Sequence, residues 1–227
     1  MKTVAVIPAA GKGKRIGSEI PKQFIRFKGK ELIVYTLEVF QRCPLIDEIV
    51  VSVSKDYLKL INRIKKEYRL TKLKNIVEGG KERQDSVFNA ISSLSLKKVD
   101  LVAVHDAARP LLSEAVLINA IKMAKKKGNA VVCLSAKDTL LKGKKTVEGH
   151  VDRSDFFYVQ TPQIFRFSDL WYALEHAKSQ KFYGTDESML MKRAGFRINI
   201  AEGSSLNFKV TTPDDLVIFK SLVKKVH

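Results

Sequence analysis

Hydrophobic positions along the chain follow two periodicities. Short apolar runs rich in β-branched residues predict buried strands, and longer stretches with apolar residues every three or four positions predict amphipathic helices. The predicted strands are Thr3–Ala9, Ile46–Ser54, Asn75–Gly80, Asp100–Ala107, Ala130–Ala136 and 198–203. The predicted helices are Leu32–Cys43, Tyr57–Tyr68, Arg83–Leu94, Ser113–Gly128, 168–178, Thr185–Gly195 and 212–223. Ser113 is the expected N-cap of its helix, and Gly128 the expected C-terminal glycine.

Alternation of strands and helices predicts an α/β fold: a Rossmann-like three-layer α/β/α arrangement around a mostly parallel sheet. In such sheets, ligands bind beyond the carboxyl ends of the strands. Four stretches rich in polar residues and glycine follow strands directly, namely Ala9–Lys22, Gly79–Ser86, His105–Arg109 and Ser135–Thr139. We expect all four to share one crevice.

The alternation breaks at Lys137–Gln163, which has the pattern of a β-hairpin with the KGKK segment (142–145) at its tip. A lone two-stranded arm is only marginally stable in water, so it should lie against something else, most simply a second subunit. The chain is therefore predicted to be one domain, 1–227, with 137–159 as an extended dimerisation arm.

Charge narrows the classes of partner. Lysine and arginine number 41 against 24 acidic residues, which gives a net charge of +17 and favours polyanionic ligands. No RNP-type aromatic motif, paired zinc fingers or basic heptads occur, so a basic nucleic-acid-binding module without catalysis is only a distant alternative. No apolar run approaches the roughly 20 residues needed to cross a bilayer. Cys43 and Cys133 lack metal-ligand or CxxC spacing, which predicts a reducing, cytoplasmic location.

The opening segment VIPAAGKGKRIGSEIPKQ (6–23) predicts a phosphate-binding loop. It matches neither the GxGxxG dinucleotide-binding fingerprint nor the Walker A pattern. A GxGxxG fingerprint would need glycine where Ile16 stands, and no GK pair is followed by Ser or Thr as a Walker A loop requires. Small residues still allow backbone N–H groups to approach a ligand, and cations surround them. The small residues are Ala9, Ala10, Gly11 and Gly13, and the cations are Lys12, Lys14, Arg15 and Lys22. A triphosphate suits this combination.

Further motifs follow in order along the whole chain. After PAAGKGKRIG and PKQF come GGKERQDSV (79–87), VHDAARP (104–110), KDT (137–139), DR (152–153), QTPQ (160–163), TDE (185–187) and FKVTTPDDL (208–216). This series resembles the 2-C-methyl-D-erythritol 4-phosphate cytidylyltransferase family of the non-mevalonate isoprenoid pathway, among the nucleotidyltransferases that activate sugar and polyol phosphates. Each motif is weak by itself, and the ordered series is specific.

The resemblance implies transfer of CMP from CTP to a polyol phosphate, with release of pyrophosphate. The attacking phosphate monoester has a second pKa of about 6, so it is largely ionised at neutral pH and needs no base. The difficulty is electrostatic, because one anion attacks another, and catalysis should come from positioning and charge neutralisation.

The resemblance also implies roles for individual residues. Arg15 and Lys22 would stabilise the α-phosphate during attack, and Asp106 would bind Mg²⁺ on the triphosphate. GGKERQDSV would recognise cytosine, with Ser86 offering a hydroxyl to the base. The implied nucleotide-binding residues are Ala9, Ala10, Gly11, Gly13, Gly80, Lys81, Ser86, Asp106 and Ala107. His105, beside Asp106, is expected to be a packed strand residue.

For the acceptor, the resemblance implies that Arg153 and Lys209 fix the polyol phosphate. Further contacts to its hydroxyls or phosphate are expected from Thr139, Thr161, Thr185 and Asp186, with a helix N-cap as the other interpretation of Thr185. Arg109 would hold the polyol or structure its own loop. Thr139 and Arg153 lie on the predicted arm, so a homodimer with shared sites is implied.

One alternative within the same fold is ribitol-5-phosphate cytidylyltransferase, which has nearly the same motifs. It differs in the shape of the acceptor pocket, and the sequence discriminates the two poorly.

Overall fold

The structure is a computed structural model that describes residues 1–11 and 20–224. The strands are β1 Thr3–Pro8, β2 Arg26–Phe27, β3 Lys30–Glu31, β4 Glu48–Val53, β5 Leu73–Glu78, β6 Leu101–Val104, β7 Asn129–Ser135, β8 Leu140–Gly143, β9 Val147–Val151, β10 Phe157–Arg166 and β11 Ile200–Glu202. The helices are α1 Leu32–Arg42, α2 Leu58–Glu67, α3 Arg83–Ser92, α4 Glu114–Lys127, α5 Phe167–Ser179, α6 Glu187–Arg193 and α7 Pro213–Lys224. Every helix and strand predicted from the periodicity is present, with ends shifted by a few residues.

Local signals set the ends of α4 as expected. The Ser113 hydroxyl accepts the backbone N–H of Val116 at 3.3 Å, which satisfies one of the free donors at the start of the helix. Gly128 ends the helix at φ +89°, a left-handed conformation that glycine adopts at little cost. Both predictions are confirmed.

Seven strands form the main sheet in the order β11-β7-β10-β6-β1-β4-β5. The pairings β1–β4, β1–β6, β4–β5 and β7–β11 are parallel, whereas β10 lies antiparallel between β6 and β7. The predicted mostly parallel α/β sheet is confirmed.

The predicted hairpin over Lys137–Gln163 is too long. The observed hairpin consists of β8 and β9, within 140–151, and the chain rejoins the main sheet at Phe157 as β10. A central antiparallel strand and a hairpin strand share the same two-residue alternation, so the sequence pattern could not separate them.

The core fills both faces of the sheet. Ile7 and Val51 face the helices α1, α2 and α4, and Val6 and Val50 face α3, α5 and α6. Strands buried on both faces explain the continuous apolar runs in the sequence. A third cluster packs α7 against α1 and the loop around Val210. In the part of the chain that the structure describes, no helix has the length and apolar character to span a membrane.

Candidate active site

A pocket of about 370 Å³ lies at the carboxyl ends of β1 and β6, next to the start of α3. It is lined by residues 8–11, Lys22, Gln23, 80–83, Ser86, 106–108, Lys209 and Thr211. Three of the four stretches expected to form one crevice contribute to it. The fourth, Ser135–Thr139, does not: Ser135 and Lys137 line a separate cavity, because β10 separates β7 from β6.

Gln23 organises the loop after β1. Its side-chain amide donates to the carbonyl oxygens of Ala9 at 2.6 Å and Gly11 at 2.9 Å, while the Ala9 N–H donates to the Ser52 carbonyl. Gln23 is almost fully buried, so these bonds hold the loop rigidly. Sequence reasoning missed this role, although Gln23 lies in the quoted PKQF motif. Gly13 and Arg15 lie outside the described residues.

Close packing explains the paired glycines before α3. A Cβ atom on Gly79 would overlap the Cβ of Ala10, and one on Gly80 would overlap the Cβ of Asp85. Neither position has room for a side chain. The missing Cβ of Gly79 lets the loop before α3 approach the β1 loop, and the missing Cβ of Gly80 lets the same loop pack against Asp85 in the first turn of α3.

Ser86, in the first turn of α3, binds the backbone of the same loop. Its hydroxyl accepts the Gly80 N–H at 3.0 Å and donates to the Glu82 carbonyl at 3.1 Å. A hydroxyl has one donor and two acceptor positions, so one acceptor position remains available at the pocket. Lys81 lines the pocket with its side chain largely in solvent.

Asp106 is the electrostatic centre of the pocket. Its Oδ1 accepts from Arg83 Nε at 3.0 Å, and its Oδ2 lies 2.9 Å from Lys209 Nζ and 3.7 Å from Arg109 Nε. Burial opposes ionisation, but the positive charges of Arg83, Lys209 and Arg109 outweigh it and hold the pKa of Asp106 far below its ordinary range. The side chain is therefore a carboxylate at any physiological pH.

Arg83 joins Asp106 to a second, buried carboxylate. Its Nη1 and Nη2 donate to the two oxygens of Glu187, at 2.7 and 3.0 Å, and Glu187 is 1% exposed. Burial disfavours the charged guanidinium, but Glu187 and Asp106 together raise the pKa of Arg83 well above its ordinary value. Neither residue was predicted as part of the site. Both fall within quoted motifs, but their pairing across 104 positions leaves no local signal.

A chain of hydrogen bonds positions the backbone of Asp106. Its N–H donates to the Thr161 hydroxyl at 3.1 Å, and that hydroxyl lies 3.0 Å from His105 Nδ1. His105 Nε2 lies 3.2 Å from the carbonyl of Arg109. A carbonyl can only accept, so we assign the proton to Nε2, and Nδ1 then accepts from Thr161. Burial of the imidazole lowers the pKa of His105 to about 3, so it is neutral.

These hydrogen bonds give Thr161 a different role from the one expected. Its hydroxyl is buried and its proton is donated to His105, so it supports the Asp106 loop rather than offering a donor to a substrate. His105 is fully buried, as expected of a packed strand residue.

Arg109 and Lys22 both donate hydrogen bonds to backbone carbonyls of the segment 207–210. Arg109 Nη1 donates to the Asn207 carbonyl at 2.7 Å, which favours the loop-structuring alternative for this arginine. Lys22 Nζ donates to the Val210 carbonyl at 2.7 Å. The chain around Lys209 is thereby anchored beside both the β1 loop and the Asp106 loop.

Other expected acceptor residues lie elsewhere in the described part of the chain. Thr139, Arg153 and Thr185 are exposed and are not among the residues lining this pocket. Asp186 is the N-cap of α6, accepting from Met189 N at 2.9 Å, and it also accepts from Gln163 Nε2 at 2.9 Å. The alternative that Thr185 caps this helix is wrong, because α6 begins at Glu187 and its cap is Asp186.

Comparison with known proteins gives one consistent family. The family profile described as 2-C-methyl-D-erythritol 4-phosphate cytidylyltransferase (IspD) matches residues 3–225. Relatives with that name from Syntrophus aciditrophicus and Clostridium acetobutylicum are 38% and 39% identical, over 99% and 97% of this chain and 97% of each relative.

Solved structures of proteins with the same name agree with this. The Thermus thermophilus structure is 31% identical with a TM-score of 0.79, and covers 99% of this chain and 100% of its own. The Francisella tularensis structure is 30% identical with a TM-score of 0.82, and covers 97% and 99%.

Proposed function

The chain belongs to the 2-C-methyl-D-erythritol 4-phosphate cytidylyltransferase family, and we propose that the pocket around Asp106 is where it performs that reaction. The enzyme transfers CMP from CTP to 2-C-methyl-D-erythritol 4-phosphate and releases pyrophosphate, in the non-mevalonate pathway. The observation that supports the location is the convergence of Lys22, Arg83 and Lys209 on one small pocket at the ends of β1 and β6.

The pocket's cations address the electrostatic problem of the reaction. A phosphate monoester must approach the α-phosphate of a triphosphate, and both are anions. Two unit charges 4 Å apart interact by about 4 kcal/mol at an effective dielectric constant near 20, so each well-placed cation offsets repulsion of that order. Lys22 is held by the Val210 carbonyl, which places its ammonium group before substrate arrives, and Lys209 lines the same pocket beside Asp106.

We assign the two ends of CTP to different walls. The loop 79–86 is proposed to bind cytosine, as the resemblance implies, because residues 80–83 and Ser86 of this loop line the pocket. The triphosphate would lie along Ala9, Ala10, Gly11 and Lys22, with Gly13 and Arg15 contributing as the resemblance implies. Ala107, beside Asp106, lines the space between the two walls.

The residues present suit Mg²⁺ bound together with the triphosphate. Mg²⁺ usually keeps several waters and takes one or two carboxylates plus substrate phosphates. Asp106 is an ionised carboxylate opening onto the pocket, and no cluster of three or more metal-binding side chains occurs among residues 1–11 and 20–224. We therefore propose Asp106 as the protein ligand. Bound Mg²⁺ would supply further neutralisation of the phosphates.

The arm is proposed to complete the pocket of a second subunit. On β8 and β9, Leu141 is 53% exposed and Val147 63% exposed, and such apolar side chains are expected to be covered by a partner. Arg153 and Thr139 would then reach the neighbouring pocket, where Arg153 and Lys209 would hold the acceptor phosphate. A nucleoside triphosphate substrate supports a cytoplasmic location.

Pyrophosphate release from CTP tests the proposal directly. We expect turnover with 2-C-methyl-D-erythritol 4-phosphate and little with ribitol 5-phosphate. Lys209→Met should reduce turnover about 100-fold or more, because a cation is lost beside the reacting phosphates. Lys126→Met, on the exposed face of α4, is the matched control and should be as active as the wild type. An active Lys209→Met enzyme would move the reaction away from this pocket.

A further inference from the structure

We propose that Glu187 is a positioning residue for this reaction. By binding Arg83 it keeps one oxygen of Asp106 available for Mg²⁺ with the triphosphate. The inference rests on the proposed function, since it concerns the same pocket. It goes beyond it because Glu187 touches neither substrate nor metal in this scheme and acts through Arg83.

Arg83 divides its donors unequally between Glu187 and Asp106. An arginine fork ordinarily binds a carboxylate through two parallel N–H donors. Arg83 directs that bidentate pair at Glu187, at 2.7 and 3.0 Å, and reaches Asp106 with Nε only. Asp106 Oδ1 is thus fixed by one bond from Arg83, while Oδ2 contacts the ammonium of Lys209 at 2.9 Å and lies 3.7 Å from Arg109 Nε, beyond hydrogen-bond distance. A flexible lysine yields its place more readily than a bidentate arginine.

Glu187 is fixed by its place at the start of α6. Glu187 is the first residue of α6, and the preceding Asp186 caps that helix while accepting from Gln163 of β10. The carboxylate is buried, so its position is set by the packing of α6 on the sheet rather than by solvent. Arg83, the first residue of α3, is consequently held by the first residue of α6.

The negative charge of Glu187 limits what Arg83 can bind. Arg83 is 27% exposed and lines the pocket. Without the negative charge of Glu187, its fork would be free to take both oxygens of Asp106 or to bind phosphate directly. The first change would compete with Mg²⁺ for Asp106, and the second would remove the bond that fixes Asp106 Oδ1. Loss of a residue that orients a metal ligand typically weakens metal affinity by about 10- to 100-fold.

Binding of CTP at graded MgCl₂ concentrations, measured by calorimetry without acceptor, tests this. In Glu187→Gln the Mg²⁺ concentration that gives half of the Mg²⁺-dependent gain in CTP affinity should rise about 10- to 100-fold. CTP affinity without Mg²⁺ should not fall. Glu31→Gln is the matched control, because Glu31 is also a buried glutamate paired with an arginine, Arg63, away from the pocket. It should keep the wild-type Mg²⁺ requirement.

Arg83→Lys provides a second variant that preserves charge but cannot bind both carboxylates. It should show the same rise, and it decides the matter if Glu187→Gln does not fold. An unchanged Mg²⁺ requirement in a folded Glu187→Gln or Arg83→Lys protein overturns the positioning role and leaves the proposed function intact. Wild-type CTP binding that ignores Mg²⁺ overturns the proposed metal role itself, and the inference with it.

Discussion

Acidification should destabilise the protein through His105. The imidazole is fully buried, and its folded-state pKa of about 3 lies well below the ordinary 6.5. Between these values the unfolded chain binds a proton that the folded chain excludes, so the free energy of unfolding falls as pH falls. Each pH unit in this window costs about 1.4 kcal/mol. The His105 contribution is therefore about 2 kcal/mol lost between pH 7 and pH 5, and about 4 kcal/mol lost by pH 3.

Urea unfolding at pH 7 and pH 5 measures this loss. His105→Gln cannot titrate, so its free energy of unfolding should fall by about 2 kcal/mol less than that of the wild type over the same interval. His150→Gln removes an exposed histidine of the arm instead and should retain the wild-type acid dependence. Equal losses in the wild type and His105→Gln would refute the account of a neutral, buried imidazole.

Three further changes test the site and the assembly. Gly79→Ala should raise the KM for CTP about tenfold or more, because its Cβ would overlap that of Ala10, whereas Gly149→Ala, which meets open space, should bind CTP normally in the same titration. Arg15→Ala should lower kcat for pyrophosphate release by about 100-fold or more with unchanged circular dichroism, and near-normal rates would contradict its role at the α-phosphate. Mixing inactive Arg15→Ala and Arg153→Ala chains should restore part of the activity in hybrid dimers. No recovery despite verified subunit exchange would confine each site to one chain.

Local patterns predicted most of the fold because the strands of a parallel sheet are apolar on both faces. Runs such as Val4–Ile7 and Ile49–Val51, separated by helical stretches, are therefore recognisable as buried strands. The exception is β10. Its position between β6 and β7 depends on pairing with residues 22 to 65 positions away, and the alternation of its side chains is the same in a hairpin.

The site divides in a similar way. Lys22, Asp106 and Lys209, which all line the pocket, were expected there because the motif series resembles a known family. Arg83 and Glu187 could not, since their contact is created by packing α6 beside α3. The inward turn of Thr161 likewise depends on the irregular pairing of β10 with β7 between Val159 and Gln163, which no local rule predicts.

The central place of β10 bears on the order in which the protein can assemble on the ribosome. β1, β4, β5 and β6 all emerge within the first 104 residues and can pair with one another at once. β7 has no neighbour on its inner side until residues 157–166 follow, about 22 positions after its own end. A nascent chain stalled before that point would carry Asp106 without Thr161, so the Asp106 loop should reach its final position only when nearly three-quarters of the polypeptide has left the exit tunnel.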